Sequence, residues 1–126
     1  MSDPKPVLSI GLDPNVVDFS PYPGQDASTL TARIKAGEAA LRDAGFDVVT
    51  CLVTLDADDA EARVRECTAK GPFRAVMIGA GVRMAAEHTP LFERLVNVAH
   101  EELPGAKFCF NTSPESTIDA FRRWVD

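Results

Sequence analysis

The segment GAGVR at 79–83 places glycines at 79 and 81 just ahead of Arg83. Glycine lets a backbone come close to a ligand, and arginine offers a planar fork of donors that matches a carboxylate or a phosphate. A second group, NTS at 111–113, joins the paired donor and acceptor of the Asn111 amide to the hydroxyls of Thr112 and Ser113. Pro114 follows, so Ser113 reads as a helix cap, and the free N–H groups of that first turn are the material of a small anion site. The third group is Gly11 with Asp13, whose carboxylate suits a base, an acceptor or a magnesium ligand. Each group also has an ordinary structural use: glycines shape turns, Arg83 faces water, Ser113 caps, Asn111 steadies a turn, and Asp13-Pro14 makes a strand exit.

Tyr22, the only tyrosine, is placed to pack over the strand ends or to close a pocket from the loop it occupies, and Asp56 is a rim candidate at the end of the second strand. His88 is expected near the same mouth or in the turn before Thr89-Pro90, and His100 on a helix face; so separated, the two form no metal set. Cys51, Cys67 and Cys109 are odd in number and widely spaced, which suits buried thiols and neither a disulfide framework nor a CxxC motif. No GxGxxG follows the first strand and no GxxxxGK[ST] occurs, so no dinucleotide or P-loop cofactor is implied and the cofactor stays unknown. Cys67 and Arg74 fall across a helix end and a strand start, which disfavours a cysteine phosphatase loop.

The elements that must position these residues follow from periodicity. Strands are expected at 7–12, 46–55, 73–80 and 107–110. A helix over 29–43 turns Leu30, Ile34, Gly37 and Leu41 to one side and stops at Gly45. A second helix starts with Asp58 as cap and Glu61 three residues on, sends Val64 and Cys67 inward, and ends at Gly71-Pro72. A third begins after Thr89-Pro90, with the threonine as cap, and buries Leu91, Leu95, Ala99 and Leu103 before Pro104-Gly105. The last follows Ser113-Pro114 with Ile118, Phe121 and Val125 inward and Trp124 completing the core beside the first helix.

Strands joined by helical crossovers require a mostly parallel sheet, and right-handed connections with one reversal predict strand order 2-1-3-4 in a three-layer α/β/α sandwich. The first and last helices then share one face and the middle two the other. Ligands bind such sheets at the carboxyl ends of the strands near the reversal, which gathers 11–13, 79–83 and 111–113 at one rim. The architecture is Rossmann-like or flavodoxin-like without a full-length sheet. Its alternating order resembles the response-regulator and flavodoxin class, but the fifth strand is lacking and residue 79 is glycine where an aspartate would end the third strand. Asp56 ends an edge strand, so no phosphoacceptor role transfers to it.

With 126 residues, 45% of them hydrophobic and 25% charged, the chain suits one core, read as a leader at 1–5 and a single α/β domain at 6–126. Nineteen acidic against 13 basic residues leave a formal charge of -6, which opposes a nucleic-acid partner. Arg122-Arg123 reads as a solvated helix face. The polar start MSDPKP and the short apolar run at 7–12 suit neither a signal peptide nor a membrane span, so a soluble cytoplasmic protein is expected. The leading functional expectation is a small-molecule-binding protein that takes a small anion through Gly11, Asp13, Gly79, Gly81, Arg83, Asn111, Thr112 and Ser113. The alternatives are an enzyme using Asp13 or His88 for proton transfer, and a regulatory or structural homodimer joined through the 107–110 edge.

Overall fold

A computed structural model describes residues 5–125. Four strands, β1 (Lys5–Leu12), β2 (Phe46–Val53), β3 (Ala75–Ile78) and β4 (Lys107–Phe110), alternate with five helices: α1 (Ala27–Asp43), α2 (Ala57–Thr68), α3 (Ala80–Arg83), α4 (Thr89–Glu102) and α5 (Thr117–Arg122). The sheet is wholly parallel with order β2-β1-β3-β4, as the crossover argument requires. β1 is central: Val7 sits between Val48 and Ala75, and Ile10 between Cys51 and Ile78. Of the leader assigned to 1–5, residues 1–4 lie outside the described residues, while Lys5 opens β1 opposite Phe46.

The two-residue period of the strands divides the core. Leu8, Ile10, Leu12, Cys51, Val53, Val76 and Ile78 face one way and meet Ala60, Val64 and Cys67 of α2 and Leu91, Leu95 and Ala99 of α4. Val7, Phe46, Val48, Ala75, Met77 and Cys109 face the other way and meet Leu41 of α1 and Ala120 and Phe121 of α5. The first and last helices therefore share one face and the middle pair the other. All three cysteines are free and buried. Burial pushes the Cys109 thiol up to about 12 and raises Cys51 as well, where the adjacent Cys67 adds to the effect.

Several boundaries differ from the expected ones, each for a local reason. Asp56 caps α2 by accepting from Asp59 N at 2.9 Å, whereas Asp58 turns outward to Arg94 at 2.7 Å. Thr89 is the first residue of α4, and its hydroxyl donates back to Ala86 O at 2.8 Å instead of capping. β3 stops at Ile78 because Gly79, whose N still donates to Ile10 O, is the N-cap of α3 and the chain turns there. Trp124 does not join the core; it is 55% exposed, since Phe121 and Val125, four residues apart, already occupy the inward side of the final turn. Among the described residues no helix is long and apolar enough to cross a membrane.

Candidate functional site

The second face is filled only in its amino half. There Val7, Phe46, Val48, Ala75 and Met77 pack under Leu41 and α5. Toward the carboxyl ends the residues facing the same way become Ser9, Gly11 and Gly79 on β1 and the end of β3, and Thr50 and the half-buried Leu52 on β2; all but Leu52 are too short to reach a helix one layer above. Above them α1 does not settle: of its 17 residues only Leu41 is buried, and Leu30 and Ile34 of its apolar stripe remain half-exposed.

What holds α1 at this height is the turn ahead of α5. A Cβ on Gly37 would lie 3.0 Å from Pro114 O, so helix and turn meet backbone to backbone. Arg33 grips the same turn through Glu115, with Nε and Nη2 donating to the two carboxylate oxygens at 2.8 and 2.6 Å. This fork holds the Glu115 carboxyl below the ordinary glutamate value. Asp26 and Thr29 form a reciprocal capping box at 2.8 Å each, which starts the helix where the loop ends.

The space left between α1 and the sheet is a cavity of about 720 Å³, within the range of small-molecule sites. Its floor is Ser9, Gly11, Thr50, Leu52 and Met77, its wall Leu30, Ile34, Gly37, Glu38 and Leu41, and its roof the loop carrying Val16, Val17, Phe19, Tyr22 and Gln25. Tyr22, Leu55 and Met84, 57%, 46% and 64% exposed, stand among the lining residues. An apolar lining that continues into exposed apolar side chains is the surface expected where a ligand completes the packing.

The residues singled out in the sequence divide. Gly11, Gly79, Gly81, Asn111, Thr112 and Ser113 all line the cavity, with Tyr22 and His88. Asp13, Asp56 and Arg83 are not among its lining residues. The Asp13 carboxylate accepts from Asn15 N and Nδ2 at 2.9 and 3.0 Å, capping the three-ten turn Pro14–Val16. Arg83 turns to the β4 side, where Nη2 donates to Asn111 O and the guanidinium lies 5.4 Å from the Phe110 ring centroid.

The donors of the Asn111–Ser113 turn that were expected to hold an anion are spent within the chain. Asn111, 7% exposed, accepts from Ala80 N at 2.9 Å through Oδ1 and donates through Nδ2 to Thr117 Oγ1 at 2.8 Å, clamping the β3–α3 turn to α5. Thr112 N and Ser113 N donate to Ser116 Oγ at 3.0 and 3.2 Å, and Ser116 N to Ser113 Oγ at 3.3 Å. His88 Nδ1 lies 3.1 Å from Gly81 O, and because a carbonyl only accepts, Nδ1 is the donor in that contact. No hydrogen bond or ion pair joins His88 to Asp13 among the described residues, and none of their His, Cys, Asp and Glu side chains form a group of three placed for a metal.

Glu38 and Thr50 were not singled out from the sequence. Thr50 Oγ1 donates to Glu38 Oε2 at 2.7 Å across the cavity edge, tying α1 to β2. The available signal was a carboxylate four residues beyond Ile34, on the apolar side of α1. The sequence matches no protein-family model, and no curated protein is significantly similar to it.

Proposed function

We propose that the protein binds a small, largely apolar molecule in the cavity between α1 and the carboxyl half of the sheet. One observation carries this reading: Leu30 and Ile34 are held off the sheet above a floor of Ser9, Gly11 and Thr50, so apolar surface stays uncovered inside the fold. Such surface is costly to leave against water, and a ligand that fills it recovers roughly 25 cal/mol for each Å² removed from solvent. The place agrees with the rule that open parallel sheets take ligands at their carboxyl ends.

An anionic ligand draws less support. Arg83 faces β4, the Thr112–Ser113 turn satisfies its own donors, and Arg33 is committed to Glu115. A proton-transfer enzyme would have to work through His88 without Asp13, which is not among the cavity's lining residues and whose Oδ1 accepts from Asn15. A homodimer through β4 gains little from an edge of four residues whose Phe110 carbonyl already accepts from Arg123 Nη2 at 2.9 Å.

Gly11→Phe tests the reading. Gly11 lies in β1 without positive φ, and a Cβ there would meet only Leu52 Cδ2, at 4.0 Å, so an aromatic ring has room to enter the cavity. The uncharged dye phenylnaphthylamine, whose emission rises in apolar surroundings, should bind the wild type saturably. The variant should stay folded, with a urea midpoint at or above wild type, and lose the dye. Undiminished binding by folded Gly11→Phe, or no saturable binding to wild type, would refute the proposal.

A further inference from the structure

The cavity's polar groups carry a bias in charge. Asp18, Glu38 and Glu87 line it, whereas Arg33 is the only lysine or arginine among its lining residues, and both arms of its fork are held by Glu115. Asp18 and Glu87 are exposed; Glu38 is half-buried on the apolar side of α1. Its Oε2 accepts from Thr50 Oγ1 at 2.7 Å, which positions that oxygen, and Oε1 has no hydrogen-bond partner among the described residues. Arg42 approaches Oε2 only to 3.9 Å, with a side chain 60% exposed, and neutralises it weakly.

We infer that Glu38 anchors the cavity's ligand and selects a molecule with a protonated amine on an apolar body. This rests on the cavity being a ligand site and adds the chemistry of its occupant. A carboxylate oriented on one oxygen and open on the other is a preorganised acceptor for a charge-assisted hydrogen bond, stronger in half-buried surroundings than in water. Leu30, Ile34 and Leu41 on the same helix supply the surface against which the apolar body lies. A purely structural tie between α1 and β2 would need no charge, because an amide oxygen also accepts from Thr50.

That difference makes Glu38→Gln the deciding variant. Phenethylamine, phenethyl alcohol and hydrocinnamate share one ring and differ in the charge of the polar end: positive, neutral and negative at neutral pH. Each would be titrated by displacement of phenylnaphthylamine and by amide shifts of Ser9 and Thr50. In wild type the amine should bind about tenfold more tightly than the alcohol and the carboxylate more weakly than either. Glu38→Gln should erase the preference for the amine and leave the affinities for alcohol and dye within about twofold. Equal binding of amine and alcohol by wild type, tighter binding of the carboxylate, or an amine preference that persists in Glu38→Gln would overturn the role of Glu38 while dye binding still upheld the cavity. Failure of the dye and all three compounds to bind wild type would overturn both. Should Glu38→Gln not fold, the wild-type ranking alone decides.

Discussion

Arg83 spends its charge on packing. One nitrogen donates to Asn111 O, the guanidinium lies against Phe110, and Nε is buried without a partner among the described residues. Replacement by methionine removes one charge-assisted bond and one cation–π contact, but also relieves the unpaired donor, so a net loss of about 1 kcal/mol is expected. Arg83→Met should lower the urea midpoint and leave dye affinity within about twofold of wild type. A large loss of affinity at unchanged stability would instead return Arg83 to the ligand site. The neighbourhood of Arg83 was legible in the sequence because chain order and the strand-end rule bring 79–83 beside 111–113. Its direction was not, because three residues of α3 after the Gly79 turn decide which side of the sheet it meets. Glu38 escaped for the complementary reason: a charged residue within a helical stripe reads as a solvated position until the floor beneath it proves too low to fill.

At the scale of elements, α1 is a helix held at separate points along its length. Leu41 is buried toward its carboxyl end, Gly37 meets the Pro114 turn and Glu38 reaches Thr50 in its middle, and the Asp26–Thr29 box and the Arg33–Glu115 fork secure its amino half over the cavity. Its amino half should therefore open locally at lower cost than the whole domain. Asp26→Ala removes the cap at about 1 kcal/mol. Amide exchange should speed up over 30–34 and stay close to wild type over 40–43; acceleration spread evenly along the helix would show that α1 opens as one piece. Strand order, the pairing of helices with faces and the glycine stop at Gly45, whose φ is 92°, all followed from pattern. Helix starts did not, because neighbouring polar residues compete for one cap. Asp56 and Asp58 are both chemically able to cap α2, and the outward pull of Arg94 on Asp58 is a tertiary fact. Trp124 was misplaced likewise: hydrophobicity marks it for the core, but Phe121 and Val125 take the inward positions.

Across the whole molecule, carboxylates outnumber cations, yet α2 and α4 are joined by a network in which cations are shared. Arg94 meets Glu61 at 2.5 Å and Asp58 at 2.7 Å, and Arg65 meets Glu61 at 3.0 Å, Glu101 at 3.2 Å and also Glu102. Hydrogen bonds from Arg94, then Arg65, hold the Glu61 carboxyl below its ordinary value of 4.5, and Arg33 does the same for Glu115. A carboxylate whose pKa is lower in the folded chain binds its proton more readily when unfolded, so it adds stability above the ordinary value and surrenders it as pH falls through the folded value. The groups are exposed and each pair is weak alone; the effect lies in the network acting together. Against it, acidification first reduces the formal charge of -6 and relieves repulsion across the surface. The loss of the network belongs below 4.5, where the Glu61 and Glu115 carboxylates take up their protons. The urea midpoint should accordingly hold or rise slightly on approach to 4.5 from neutrality and fall beneath it. Glu61→Gln should be less stable than wild type at neutral pH and should lose less on acidification, and molar salt should narrow the gap between the two proteins by screening the network. A Glu61→Gln variant whose acid profile parallels wild type at both salt concentrations would show that the Glu61 ion pairs contribute nothing to the fold, and that apolar contacts among Ala60, Val64, Cys67, Leu91, Leu95 and Ala99 outweigh them in joining α2 to α4.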